Sequence, residues 1–140
     1  MELLTILAAD YANVSKEGKL NVMGIFNDIF AENFPCRQPS MYLIVKLQAE
    51  LGEYDEDRTL TIKLLDEDGN ELMKLTGPMK MQKPAGGRRP EANAILRIND
   101  LIFKNPGRYE FRVFVDKDSK GSLTINVTKI QMKLLEKNQE

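Results

Sequence analysis

Lys80, Lys83, Arg88 and Arg89 are the densest group of cations in this 140-residue chain, and the stretch that carries them, Gly77 to Pro90, contains no acid. Two adjacent arginines can grip a phosphate or carboxylate through paired N–H donors, and Gly86-Gly87 beside them would let the backbone approach an anion. The chemistry on offer is small-anion binding. The competing reading is a solvated loop, since no aromatic side chain is interleaved with the cations to stack a nucleic-acid base. A second group is acidic: Glu53, Asp55, Glu56 and Asp57, then Asp66, Glu67 and Asp68, with Asp116 and Asp118 further on. Gathered at one end of a fold, these would offer oxygen ligands to calcium. Asp66 to Asn70 lacks the distal bidentate glutamate of an EF-hand loop, however, and acidic turns serve solubility alone, so no metal site is assigned.

Catalysis has little to stand on. Histidine is absent and cysteine occurs once, which removes the Ser-His-Asp and Cys-His pairs and the usual zinc ligands. Cys36 stands between Pro35 and Arg37, whose charge would lower the thiol pKa slightly. Carboxylates are plentiful, yet none lies in an apolar stretch that would raise its pKa for acid–base work. The expectation is a non-enzyme without cofactor.

The apolar fraction of 42% and charged fraction of 29% are those of an ordinary globular protein. A single domain of this size buries roughly two-thirds of the surface its unfolded chain exposes and needs no disulfide or metal to hold it. The opening run Leu3 to Ala9 is too short to span a bilayer, and Glu2 replaces the basic start of a secretory signal. With one cysteine, this points to the cytoplasm and away from membranes. A net charge of −1 gives no long-range pull on nucleic acid. Residues 1–70 nevertheless hold 6 Lys/Arg against 13 Asp/Glu, and residues 71–140 hold 14 against 8. Such asymmetry marks either an electrostatic partner face or, more simply, strands of opposite charge that pair across a sheet.

The elements that would position these groups are strands. After the turn Asn105-Pro106-Gly107, residues Tyr109, Phe111, Val113 and Val115 alternate with Arg108, Glu110 and Arg112, the period of a half-buried strand. Met41, Leu43, Val45, Leu47 and Ala49 repeat the pattern, with Tyr42 and Ile44 beginning an apolar opposite face. Further strands are expected over Leu3–Val14, from Lys19 to about Phe26, Arg58–Leu65, Glu71–Thr76, Ala92–Ile98 and Ser122–Ile130. The second is read as covered on both sides near its end, with Gly24 marking a bulge or a close backbone approach. Two prolines make Asn33–Ser40 a crossing loop without a strand, and 77–90 a long loop. No amphipathic helix intervenes. About eight short strands predict an all-β, two-sheet antiparallel sandwich, immunoglobulin-like or jelly-roll, as one domain over 1–130 with 131–140 as an extension or fraying tail.

The block Asp10-Tyr11-Ala12, Gly18-Lys19-Leu20-Asn21-Val22-Met23-Gly24-Ile25-Phe26-Asn27-Asp28-Ile29 and Phe34-Pro35, with the later Gly107-Arg108-Tyr109-Glu110-Phe111, resembles an uncharacterised bacterial family of small all-β proteins. The resemblance covers nearly the whole chain and implies a stand-alone sandwich; it carries over no site residue. Together these features lead to a non-enzymatic interaction module whose loops or edge strand engage another protein or a second copy. The alternative is a small-anion-binding domain using Lys80, Lys83, Arg88 and Arg89.

Overall fold

The computed structural model of the chain describes residues 1–131. All of the extension expected over 131–140 except Gln131 lies outside the described residues. Nine strands form: β1 (Glu2–Val14), β2 (Leu20–Ile25), β3 (Asp28–Ala31), β4 (Cys36–Gln48), β5 (Arg58–Leu65), β6 (Glu71–Met79), β7 (Glu91–Phe103), β8 (Gly107–Val115) and β9 (Asp118–Lys129). They make a four-stranded sheet, β2-β1-β4-β7, and a five-stranded sheet, β3-β9-β8-β5-β6. The chain is thus an all-β, two-sheet sandwich. Every pairing is antiparallel except β3 with β9, which is parallel.

The inner faces supply the core. Met41, Leu43, Val45 and Leu47 of β4 and Ile98 of β7 meet Ile62 and Leu64 of β5, Phe111 and Val113 of β8 and Ile125 of β9, all buried in one cluster. The alternation that foretold these strands exists because successive side chains of a strand point to opposite faces, so a face that must be buried has to be apolar at every second residue. At the β7–β8 turn the chain passes from one sheet to the other. There Phe103 stacks edge-on against Tyr109 at 4.7 Å between ring centres, and the Tyr109 hydroxyl donates to the carbonyl of Asn105 at 2.6 Å. This is a tyrosine corner, the device by which Greek-key sandwiches tie a strand to the turn that precedes it.

Three departures from the expected strands stand out, two of them at prolines. β4 begins at Cys36 and runs through Pro39, and β6 runs through Pro78 to Met79, so the loop expected over 77–90 shortens to 80–90. Both prolines sit where a missing N–H costs least. β4 has β1 as a neighbour only from Tyr42 onward, and β6 is a sheet edge. The third is β3, four residues long, which pairs with β9 and was hidden among Asn27, Asp28 and Glu32. At Pro39-Ser40 and, across the ladder, Asn99-Asp100, both strands shift their alternation by one residue, with Asp100 at φ +55°. Ile98 and Leu101 therefore both enter the core, which is why the apolar series Ala92, Ala94, Leu96, Ile98 resumes as Leu101, Phe103. β2 departs from expectation in the other direction: it is an edge strand, and Met23 and Ile25 are 66% and 57% exposed.

Gly24 is a close approach, as its position suggested. Its φ is +70°, and a Cβ there would lie within about 3 Å of the Asp10 side chain. Gly24→Ala is expected to destabilise the fold by roughly 1–3 kcal/mol through the left-handed backbone and this clash. Tyr109→Phe, which deletes one hydroxyl, is expected to cost about 1 kcal/mol. Urea denaturation checks both: the midpoint should fall with the slope unchanged.

Candidate functional site

The four predicted cations do not converge as one anion grip. The 80–90 loop carries the chain from β6, at the edge of one sheet, to β7, at the edge of the other, and contains a single 3-10 turn, Ala85–Gly87. Lys80 Nζ lies 3.5 Å from Asp57. Lys83 stands over the ring of Tyr54 at 5.6 Å. Arg89 donates to the carbonyl of Ala49 at 3.0 Å and to Glu50 at 3.1 Å, with Glu2 at 3.7 Å. Lys83 and Arg88 are both exposed without an acidic partner among the described residues. The basic loop and the acidic 50–57 loop have therefore neutralised much of each other. Lys83, Arg88 and Arg89 line a cleft of about 520 Å³ together with Gln48, Gln82, Pro84 and Glu91, so a carboxylate shares it with the cations.

The acids are divided as well. β5 runs from Arg58 to Leu65, which places the 53–57 cluster and the 66–68 cluster at its opposite ends, about 23 Å apart at the rise of a strand. At the first end Arg58 is the hub: it donates to Asp116 at 3.0 Å and Glu53 at 3.1 Å and also bonds Glu56. Asp116 in turn accepts from the backbone N–H of Thr59 at 3.0 Å. That N–H, then Arg58, holds the Asp116 carboxyl below its ordinary pKa. The backbone N–H of Glu50 does the same for Glu53. At the other end Asp66 accepts from the N–H groups of Asp68 and Asn70, and the Asn70 N–H leads in lowering its pKa. Among the described residues no three Asp, Glu or Cys side chains gather in a metal-ligating group. Cys36 is half-buried, and burial raises its thiol pKa. Arg37 does not offset this, because it points to Asp100 at 2.8 Å.

The surface that departs most from a sandwich's needs is the outer face of the four-stranded sheet. Each sheet has to be apolar only on its inner face. The five-stranded sheet is mostly polar on its outer face, presenting Lys63, Glu110, Arg112, Thr124 and Asn126 outward, with Leu65, Phe114 and the 60% exposed Phe30 scattered among them. The four-stranded sheet is not. Its register sets Ile25, Ala9 and Tyr42 in one outward row and Leu7, Ile44 and Ile95 in the next, with Tyr11 opposite Met23 alongside. Tyr11 stacks edge-on against Tyr42 at 5.3 Å. Ala9 and Ile44 are fully buried in a cluster with Ala12, Leu7, Leu20, Val22, Tyr42 and Ile95, whereas Tyr11, Met23 and Ile25 remain 45%, 66% and 57% exposed. Tyr42 and Ile44 signalled this face in the sequence. Its extent was not legible, because only pairing shows that Ile25 and Met23 lie beside Ala9 and Tyr11.

Residues 4–128 match the sequence pattern of a family described as "Family of unknown function (DUF6941)". The chain belongs to that family. Membership covers both sheets, including the apolar outer face and most of β9, and it assigns no chemistry. Among solved structures the chain is similar to the Pseudomonas fluorescens alkylpurine DNA glycosylase AlkC bound to DNA containing an abasic site analog, with 12% identity over 87% of this chain and a TM-score of 0.38. The likeness spans only 30% of that chain and carries no argument about activity. No curated protein matches.

The Arg58 hub sets an acid limit on stability. Asp116 and Glu53 have folded pKa values below those of the unfolded chain, so the native state binds fewer protons. Their contribution is present above the unfolded carboxylate range of about 4 and is lost as pH falls through the folded values. Urea midpoints followed from pH 7 downward should decline in that window. Asp116→Asn should be less stable at neutral pH and show a shallower decline.

Proposed function

We propose that this chain is a non-enzymatic interaction module that engages another protein through the outer face of its four-stranded sheet. The observation that carries the reading is the exposed group Tyr11, Met23 and Ile25, continuous through Tyr42 with a buried outward cluster. A contiguous apolar surface of this kind on a protein whose core is already complete is the mark of an interaction site, and Tyr and Met are residue types enriched where proteins meet. The absence of histidine and the raised thiol pKa of Cys36 both run against nucleophilic catalysis. The finer classification belongs to the same reading. The tyrosine corner at Tyr109 supports an immunoglobulin-like sandwich, the resemblance of the opening block supports a bacterial source, and the single cysteine supports the cytoplasm. Among the described residues no helix is long and apolar enough to cross a membrane.

A second reading, anion binding at the basic loop, rests on the cleft lined by Lys83, Arg88 and Arg89. It is the weaker one, since Arg89 is already held by Glu50 and the cleft includes Glu91. Phosphate, nucleotides and acidic glycans at low salt should raise the melting temperature if it holds, and Arg88→Ala should abolish the rise.

The leading reading is tested by the double variant Met23→Glu/Ile25→Glu. Both side chains are exposed, so its melting temperature should stay within a few degrees of the original. Affinity capture from the native lysate, followed by mass spectrometry, should then show proteins retained by the original chain and lost by the variant. Identical captured sets would overturn the reading.

A further inference from the structure

Four strands end the two sheets, and three of them carry devices that discourage further pairing. β3 is four residues long, β2 is six residues long and interrupted by Gly24 at φ +70°, and β6 contains Lys74 and Pro78. β7 is different. It is thirteen residues long, pairs only with β4, and from Glu91 to Ile98 has neither proline, glycine nor a change of register. Pro90 precedes this straight part, and the left-handed Asp100 follows it.

The side chains on β7 show where a partner strand would go. Ala94 and Leu96 belong to the inner-face series yet are only half-buried. With Leu60, Ile62 and Leu75 of the other sheet they line an open groove of about 340 Å³ between the β6 and β7 edges. On the outward face Glu91 and Arg97 stand six residues apart, and Arg97 has no acidic partner among the described residues.

We propose that β7 pairs with β7 of a second copy of this chain in an antiparallel, two-fold-symmetric ladder centred on Ala94, making one continuous eight-stranded sheet. An antiparallel strand pairing with itself places residue i opposite a residue reflected through the centre, and opposed residues share a face. Centring on Ala94 sets Glu91 of each copy opposite Arg97 of the other, Ala92 opposite Leu96, and Asn93 opposite Ile95. Both charge pairs are attractive and the inner-face row is wholly apolar. Moving the centre to Ile95 loses this, since Glu91 then faces Asn99 and Arg97 faces Asn93. Among the described residues Glu91 keeps only Lys46 at 3.6 Å and Gln48 at 3.2 Å within its own chain, and its own side chain is exposed, so it can accept a further cation. The pairing also brings the two half-open grooves together across the axis, covering Ala94 and Leu96. It uses the edge of the sheet and leaves Tyr11, Met23 and Ile25 on the opposite side of β1 and β4 uncovered.

Sedimentation equilibrium across the micromolar range tests the proposal through a charge-swap cycle. The original chain should show twice the 16.0 kDa protomer mass. Glu91→Arg and Arg97→Glu should each weaken dimerisation by about tenfold or more, because each places like charges opposite one another at both ends of the ladder. The combined variant, E91R/R97E, should restore the dimer. Circular dichroism confirms that each variant is folded. A chain that stays monomeric at every concentration, single variants that dimerise as well as the original, or a combined variant that fails to recover would each overturn the proposal. None of these outcomes touches the outer-face reading, which is decided by Met23 and Ile25.

Discussion

The sandwich depends on the join between its two sheets at the β7–β8 turn. Phe103 ends a strand of the four-stranded sheet, Tyr109 begins one of the five-stranded sheet, and their rings meet edge to face while the Tyr109 hydroxyl closes on Asn105. The stacking buries two large aromatic surfaces, and the hydrogen bond satisfies a carbonyl that the turn would otherwise leave unpaired. Pro106 directs the chain across the gap, and Glu67, from the β5–β6 turn, accepts from the backbone N–H of Arg108 at 2.6 Å. Three segments are thereby fastened at one end of the sandwich, and the apolar rows of β4, β5, β8 and β9 are brought into contact.

At the opposite end the fastening is electrostatic. Arg58 draws Glu53, Glu56 and Asp116 together, and Arg89 reaches from the basic loop to Glu50 and Glu2. These pairs are exposed to a degree at which individual ion pairs contribute little. Their importance lies in specifying how the loops sit. Lys80 and Arg89, cations of the second half, meet first-half acids here in Asp57, Glu50 and Glu2, and with these pairs goes much of the attraction that the basic loop would hold for a separate anion.

With the core closed, two features of the four-stranded sheet remain unexplained by folding: its apolar outer face and its unguarded β7 edge. They use different chemistry. The face offers side-chain area without polar obligation, whereas the edge offers unpaired backbone donors and acceptors in a fixed register, with one charge of each sign to select the partner's alignment. Neither feature requires a reactive group, which agrees with a chain whose one thiol is half-buried and raised in pKa.

Alternation in the sequence determined the strands with strict period two: β4 from Met41, β5, the first half of β7, and β8 were all legible, because a buried face leaves no freedom at every second position. The absence of histidine and the isolation of Cys36 likewise bounded the chemistry before any fold was known. Proline misled at positions 39 and 78, since its cost depends on whether the neighbouring strand is there to receive a hydrogen bond, and that is a property of sheet order. β3 escaped because four polar-flanked residues have no pattern of their own and become a strand only beside β9. The candidate cations were visible as a run, but which of them are already paired was settled by acids far back in the chain, Asp57 for Lys80 and Glu50 for Arg89. Only tertiary structure could bring Ile25 beside Ala9, or leave β7 at an edge, because strand order arises from long-range pairing that local sequence does not encode.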